Sequence, residues 1–155
     1  MTDDPALLAV HSARLYHRYA KAVDDGDLDA LRAMVTEDVE ITRGDAPTER
    51  GVEAFLDVYR AHNALRIPVC QHVVTNVLAQ RARDAGATGA IETSAYFQAT
   101  MLEEQRTRVV IGSYADVHVE RDGELKLAHK RIRVDRVLHL PAASASFVHV
   151  GREPS

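Results

Sequence analysis

The chain has 155 residues, of which 46% are hydrophobic and 27% charged, with no Trp, one Cys and a formal net charge of −4. That length suits one domain with a sizeable core, and interspersed charges without a basic block exclude nucleic acid as an expected partner. No run approaches the ~20 apolar residues that span a bilayer, the start Met-Thr-Asp-Asp-Pro does not read as a signal peptide, and a lone Cys70 permits no intrachain disulfide, so a cytoplasmic, reducing setting is expected.

Leu8, Leu15, Tyr16, Tyr19, Ala20 and Val23 fall at helical steps and predict an amphipathic first helix. Gly26 can supply its left-handed C-terminal position, and Asp27 stands as the N-cap of a second helix with Leu28, Leu31, Met34 and Val35 along its stripe. A strand over 38–42, a polar loop over 43–50 and a third helix from about Gly51 to Ala64 follow, the last with Val52, Phe55, Leu56 and Tyr59 inward.

From Pro68 onward, runs rich in Val, Ile, Thr and Tyr over 69–81, 88–102, 108–121 and 125–137 predict four long antiparallel strands. Asp122-Gly123 predicts a two-residue hairpin turn, because both positions need φ > 0. Ungapped counting from that turn sets Arg121 opposite Glu124, Tyr114 opposite Arg131 and Asp116 opposite His129. The stretch from Leu138, with Pro141 and several Ala and Ser, reads as an arm or partly disordered tail, so the expected division is one domain over 1–140 and a tail over 141–155. Cys70, Val74 and Leu78 alternate with Val69, Val73 and Val77, a strand apolar on both faces. Three short helices cover one face of a sheet, and a homodimer through the other is the expectation.

The order helix, helix, strand, helix, then long antiparallel strands resembles the NTF2-like fold, an α+β cone in which a curved antiparallel sheet wraps on three N-terminal helices. Residues 16–31 (YHRYAKAVDDGDLDAL) resemble the opening helix pair of its SnoaL-like branch, and 51–55 (GVEAF) the start of its third helix. QHVVTNV (71–77) and GSYAD (112–116) are further matches, and together they cover about residues 8–137. Within that superfamily the resemblance is to dehydratases of the scytalone and bile-acid kind, which use a Tyr and an Asp at the end of the first helix facing a His on the second strand. It implies catalytic roles for Tyr19, Asp24 and His72. An ungapped count puts Ala95 where the bile-acid enzymes carry a further acidic residue and Ser94 or Tyr96 where scytalone dehydratase has a second His, and Arg131 and Arg133 sit one to three places from the late-strand Arg.

The residues themselves carry part of that reading. His72 shares an otherwise apolar strand face with Asn76, and imidazole can take and return a proton near neutrality once a partner fixes its tautomer. The alternative is a core or interface His satisfied by a carbonyl. Asp24 sits at the negative end of the first helix dipole, where a carboxylate needs a compensating partner, or else belongs to an exposed turn cluster with Asp25 and Asp27. Tyr19 could polarise a substrate carbonyl or be a core phenol. Asn76 either orients substrate or satisfies a strand irregularity. Phe55, Tyr59, Tyr96 and Arg133 are expected to line the substrate pocket. The hairpin count adds a second constellation on one face, Tyr114, Asp116, His129, Arg131 and Arg133, readable as an acid/base pair with an anion anchor or as cross-strand charge pairing. No metal-ligand motif, phosphate loop or GxSxG occurs, so no metal or cofactor is expected.

The resulting expectation is a cofactor-independent dehydratase acting by proton abstraction and water elimination on a hydrophobic polycyclic, steroid- or polyketide-like molecule. The same residues would serve an isomerase or cyclase. A non-catalytic protein, of the dioxygenase β-subunit or ligand-binding kind, is the competing class. It would have a filled cone and a large apolar outer patch.

Overall fold

The computed structural model describes residues 4–83 and 89–142. Its elements are α1 (Pro5–Asp25), α2 (Leu28–Ala33), β1 (Val35–Arg43), β2 (Glu49–Arg50), α3 (Val52–Ala64), β3 (Val69–Arg81), β4 (Ala90–Leu102), β5 (Arg106–Arg121) and β6 (Glu124–Pro141). α1 starts where Asp4 caps Ala6 N–H and Pro5 occupies the first turn, and it stops where Gly26 adopts φ 70°. Asp27 then caps α2 by accepting from Ala30 N–H at 2.9 Å. Both helix boundaries fall where the sequence puts them.

One six-stranded sheet has the order β2-β1-β6-β5-β4-β3, antiparallel except where β1 runs parallel to β6. It is curved and unclosed, and the helices fill its concave side, which is the α+β cone expected. Asp122 and Gly123 both have positive φ, 53° and 79°, so the turn follows the Asp-Gly rule and Arg121 pairs with Glu124. Leu138–Pro141, read from composition as the start of an arm, instead extend β6 and pair with Arg106–Val109. The arm expected beyond them falls on 143–155, outside the described residues.

Three irregularities decide which side chains face inward. In β3 the pairing steps from Thr75↔Tyr96 to Leu78↔Ser94, with Asn76 at φ 54°. This bulge inserts one residue and inverts the alternation, so Val74, Val77 and Ala79 face the helices while Leu78, expected beside His72, is exposed. In the β5/β6 pair the register shifts at Val117/His118 and again at Ile111/Gly112. Leu125 and Leu127 are therefore inward on one side of the first shift, and Lys130 and Ile132 on the other. At the second, Gly112 is required by close approach: a Cβ there would stand 2.1 Å from the Arg133 carbonyl oxygen and 2.7 Å from the Phe97 ring.

The core joins Leu8, Leu15, Tyr16 and Tyr19 of α1 and Phe55, Leu56 and Tyr59 of α3 to Ile91, Phe97, Tyr114 and Leu127 of the sheet. The opposite face leaves Val69, Val73, Tyr96, Ile111, Val134 and Val137 exposed. Among the described residues no helix is long and apolar enough to cross a membrane.

Candidate active site

Asp24 ends the buried stripe of α1 at the point where the chain turns at Gly26, a turn held by Asn63 of α3 donating to the Gly26 carbonyl at 3.1 Å. α1 packs chiefly against β3, which carries the Asp24 side chain onto His72. Both carboxylate oxygens are used there. Oδ2 accepts the His72 backbone N–H at 2.9 Å, and Oδ1 lies 2.6 Å from His72 Nδ1. An ionised carboxylate only accepts, so Nδ1 carries the hydrogen and Nε2 is the basic nitrogen. The bond also gives Asp24 the cationic or donor partner that its place at the negative helix end calls for. The side chains of His72 and Asp24 are 11% and 16% exposed, sheltered yet reachable.

Around this pair stand Cys70, whose Sγ is 3.8 Å from His72 Nδ1, and His62 of α3, whose ring lies edge-on to His72 at 6.4 Å. Burial, reinforced by Asp24, pushes the Cys70 thiol up to about 12, which leaves it a poor nucleophile. Burial and the neighbouring His72 lower His62, which stays neutral at physiological pH. A cleft of about 320 Å³ runs past Val23–Gly26, His62 and Cys70, and a broader one of about 630 Å³ shares Arg66 and Ile67 with it and reaches Arg108.

Deeper in the cone the side chains close on each other. Tyr19 and Tyr59, 3% and 4% exposed, share a hydroxyl–hydroxyl hydrogen bond of 2.8 Å. Phe97 stacks on Tyr114 at 4.5 Å, and Phe55 packs on Tyr59. Lys130, fully buried, bonds Asp116 Oδ2 at 2.7 Å and sits 3.0 Å from the Tyr114 ring centroid and 4.6 Å from that of Tyr19. Burial lowers Lys130 to about 8 against the pull of Asp116.

The structure thus joins Asp24 to His72, while Tyr19, Tyr59 and Phe55 are buried in the packed core and do not line the cleft. Three residues expected in the pocket lie elsewhere. Asn76 is exposed at the β3 bulge, Tyr96 is 62% exposed on the outer face, and Arg133 is outside, bonded to Asp135 at 2.9 Å. Arg133 and Tyr96 point out by strand alternation, and Asn76 does the second of its two expected jobs. The constellation counted from the hairpin also divides. Val117, not Asp116, pairs with His129, and Tyr114 pairs with Ile132 rather than Arg131. His129 turns outward to Thr42 and Glu40, at 2.8 and 2.9 Å, while Asp116 stays inward on Lys130 and the Arg131 backbone N–H. One extra residue in β6 makes the difference, and no turn or glycine marks it in the sequence.

His118, unremarked in the sequence, is fully buried; Nδ1 meets Ser12 Oγ at 3.2 Å, and Nε2 has no partner. Burial pushes it down to about 4. The unfolded chain then binds a proton between pH 4 and 6.5 that the folded chain refuses, so stability falls as pH drops through that window. A loss of about 3 kcal/mol is expected from this group, and urea unfolding of His118→Asn across the same window should lack it.

The model of the SnoaL-like domain matches residues 11–131. The chain belongs to the SnoaL-like domain family. Solved structures agree on the NTF2-like fold. A candidate scytalone dehydratase from Novosphingobium aromaticivorans superposes with a TM-score of 0.71 at 19% identity, covering 93% of each chain. The hexachlorocyclohexane dehydrochlorinase LinA-type3 from Novosphingobium barchaimii gives 0.69 at 20% identity, over 90% of this chain and 92% of that one. A candidate aromatic ring hydroxylase from Novosphingobium aromaticivorans gives 0.72 at 18% identity, over 87% and 94%. No curated protein matches this SnoaL-like chain.

Proposed function

We propose that this SnoaL-like protein is a cofactor-independent lyase that removes a proton and a β-leaving group, water in the first instance, from a hydrophobic small molecule. The observation that carries the reading is the two-point grip of Asp24 on His72, which leaves Nε2 as the basic nitrogen, with Asp24 and Cys70 lining the adjoining cleft. Nε2 would take a proton from carbon next to an electron-withdrawing group, and Asp24 would stabilise the imidazolium. The imidazolium then hands that proton to the departing hydroxyl. One phenol hydrogen is used in the Tyr19–Tyr59 bond; for the other to reach a developing oxyanion, the buried pair, which packs on Tyr114, would have to open toward the cleft. Burial raises both phenols, keeping them protonated for that role.

A candidate scytalone dehydratase and a dehydrochlorinase among the structural neighbours fit an elimination, the first of water and the second of HCl. Steroid- or polyketide-like hydroxyketones are the substrate class we favour. The test is a panel of hydroxyketone polycycles and polychlorinated alicyclics run in D2O. Elimination releases water or halide; deuterium gained at carbon without loss of a group would identify an isomerase instead.

A non-catalytic scaffold of the dioxygenase β-subunit kind is the second reading, favoured by the packed aromatics deep in the cone and the exposed apolar outer face. On either reading we propose that a second copy covers that outer face, because β3 is apolar on both sides. Light scattering should give a dimer mass, and Tyr96→Glu with Val73→Lys should give a monomer.

A further inference from the structure

Three ligand atoms of different kinds converge at the end of α1. Asp24 Oδ, Cys70 Sγ and His72 Nδ1 all lie within 4.8 Å of one another, with Sγ 3.8 Å and Oδ1 2.6 Å from Nδ1. Cys70 and His72 are neighbours on one face of β3, and Asp24 reaches them from the helix, so tertiary structure builds a set that no sequence motif announces.

We propose that Asp24, Cys70 and His72 form a binding site for a zinc-like divalent ion. With usual Zn–N, Zn–O and Zn–S lengths, the edges of a tetrahedron are about 3.3–3.6 Å. The Sγ to Nδ1 separation nearly meets this already, and Oδ1 has to withdraw by only about 0.7 Å. The carboxylate stays in place while it does so, because Oδ2 holds the His72 backbone N–H. His62, whose ring lies 6.4 Å from that of His72, lines the same cleft as Asp24 and Cys70, and the fourth position is left to solvent. A thiolate and a carboxylate balance the ion's charge, and the nearby Arg108 guanidinium is engaged by Glu103 at 2.8 Å.

Binding exchanges protons for metal. The Cys70 thiol loses its proton to solvent as the S–metal bond forms, and His72 moves its hydrogen from Nδ1 to Nε2 as Nδ1 takes the metal. One proton is released per ion when His72 starts neutral. If the dyad is the base of a lyase, the ion removes both its hydrogen bond to Asp24 and the free lone pair on Nε2, so occupancy shuts the enzyme off. That consequence rests on the proposed function; the site itself does not.

The test uses chelator-treated, tag-free full chain titrated with Co2+. One ion per chain is expected, with a thiolate-to-cobalt charge-transfer band, strong tetrahedral d–d bands and stoichiometric bleaching by Zn2+. Cys70→Ser should keep its circular dichroism and melting temperature, lose the charge-transfer band and bind Zn2+ weaker by about tenfold or more. His62→Ala should keep the band. Weak octahedral absorption without charge transfer, or Zn2+ affinity unchanged in folded Cys70→Ser, overturns the site. Binding as expected with no effect on an established turnover would uphold the site and count against the dyad as the base.

Discussion

His72→Ala should lower turnover by about 10²–10⁴-fold, the usual contribution of a positioned general base, while the chain folds and binds ligand as before. The side chain is sheltered but not a core residue, and its loss leaves the aromatic packing of Tyr19, Tyr59, Phe97 and Tyr114 untouched. Asp24→Asn makes a sharper probe. The amide has one acceptor oxygen, so with that oxygen on the His72 backbone N–H its NH2 faces Nδ1 and opposes the Nδ1–H tautomer, and it cannot compensate an imidazolium. Turnover should fall with it at nearly unchanged KM. Steady-state rates on the substrates that the deuterium panel identifies, with ligand binding measured in parallel, decide the matter. A folded His72→Ala protein that turns over at the parent rate removes the dyad from the chemistry and leaves the scaffold reading.

The contrast between this dyad and the other expected site residues says what a sequence exposes. Asp24 and His72 were legible because each sits at a defined place in a regular element: one at a helix end marked by Gly26, the other in the unbroken first half of β3. Element boundaries were legible for the same reason, through the Asp27 cap and the Asp122-Gly123 turn. Side-chain facing beyond an irregularity was not. Asn76 at a bulge inverts the rest of β3, and one additional residue near Ala128 moves Asp116 from His129 to Lys130. A strand's alternation has no memory across such an insertion, and a polar run such as His129-Lys130-Arg131 offers no hydrophobic cue to the parity. Strand alternation alone puts Cys70 beside His72, but His62 becomes a neighbour of His72 only through tertiary structure, where α3 comes to the end of α1.

The buried Asp116–Lys130 pair should show the largest stability effects in the molecule. Asp116→Ala leaves an ammonium among Tyr16, Tyr19 and Tyr114 with no counter-charge, at an expected cost of about 3–5 kcal/mol in urea unfolding. The aromatic faces recover only part of that, since a cation–π contact is worth about 2 kcal/mol when desolvated. Lys130→Met leaves the buried carboxylate without its counter-charge, held by the Arg131 backbone N–H beside the Tyr16 hydroxyl, and should cost a similar amount. Removing both charges together, Asp116→Val with Lys130→Met, is expected to be neutral or stabilising by about 1–4 kcal/mol, because the desolvation of two ions disappears along with their attraction. A pH series isolates the lysine. Its pKa falls from 10.5 to about 8 on folding, so between those values the unfolded chain holds a proton that the folded one has lost, and stability should rise with pH there. Lys130→Met should lack that rise. The ammonium lies 4.6 Å from the Tyr19 ring, under the phenol pair assigned to the oxyanion. A well-folded double variant that has lost turnover therefore assigns the pair to the electrostatics of Tyr19 and Tyr59, whereas one that retains it assigns the pair to architecture alone.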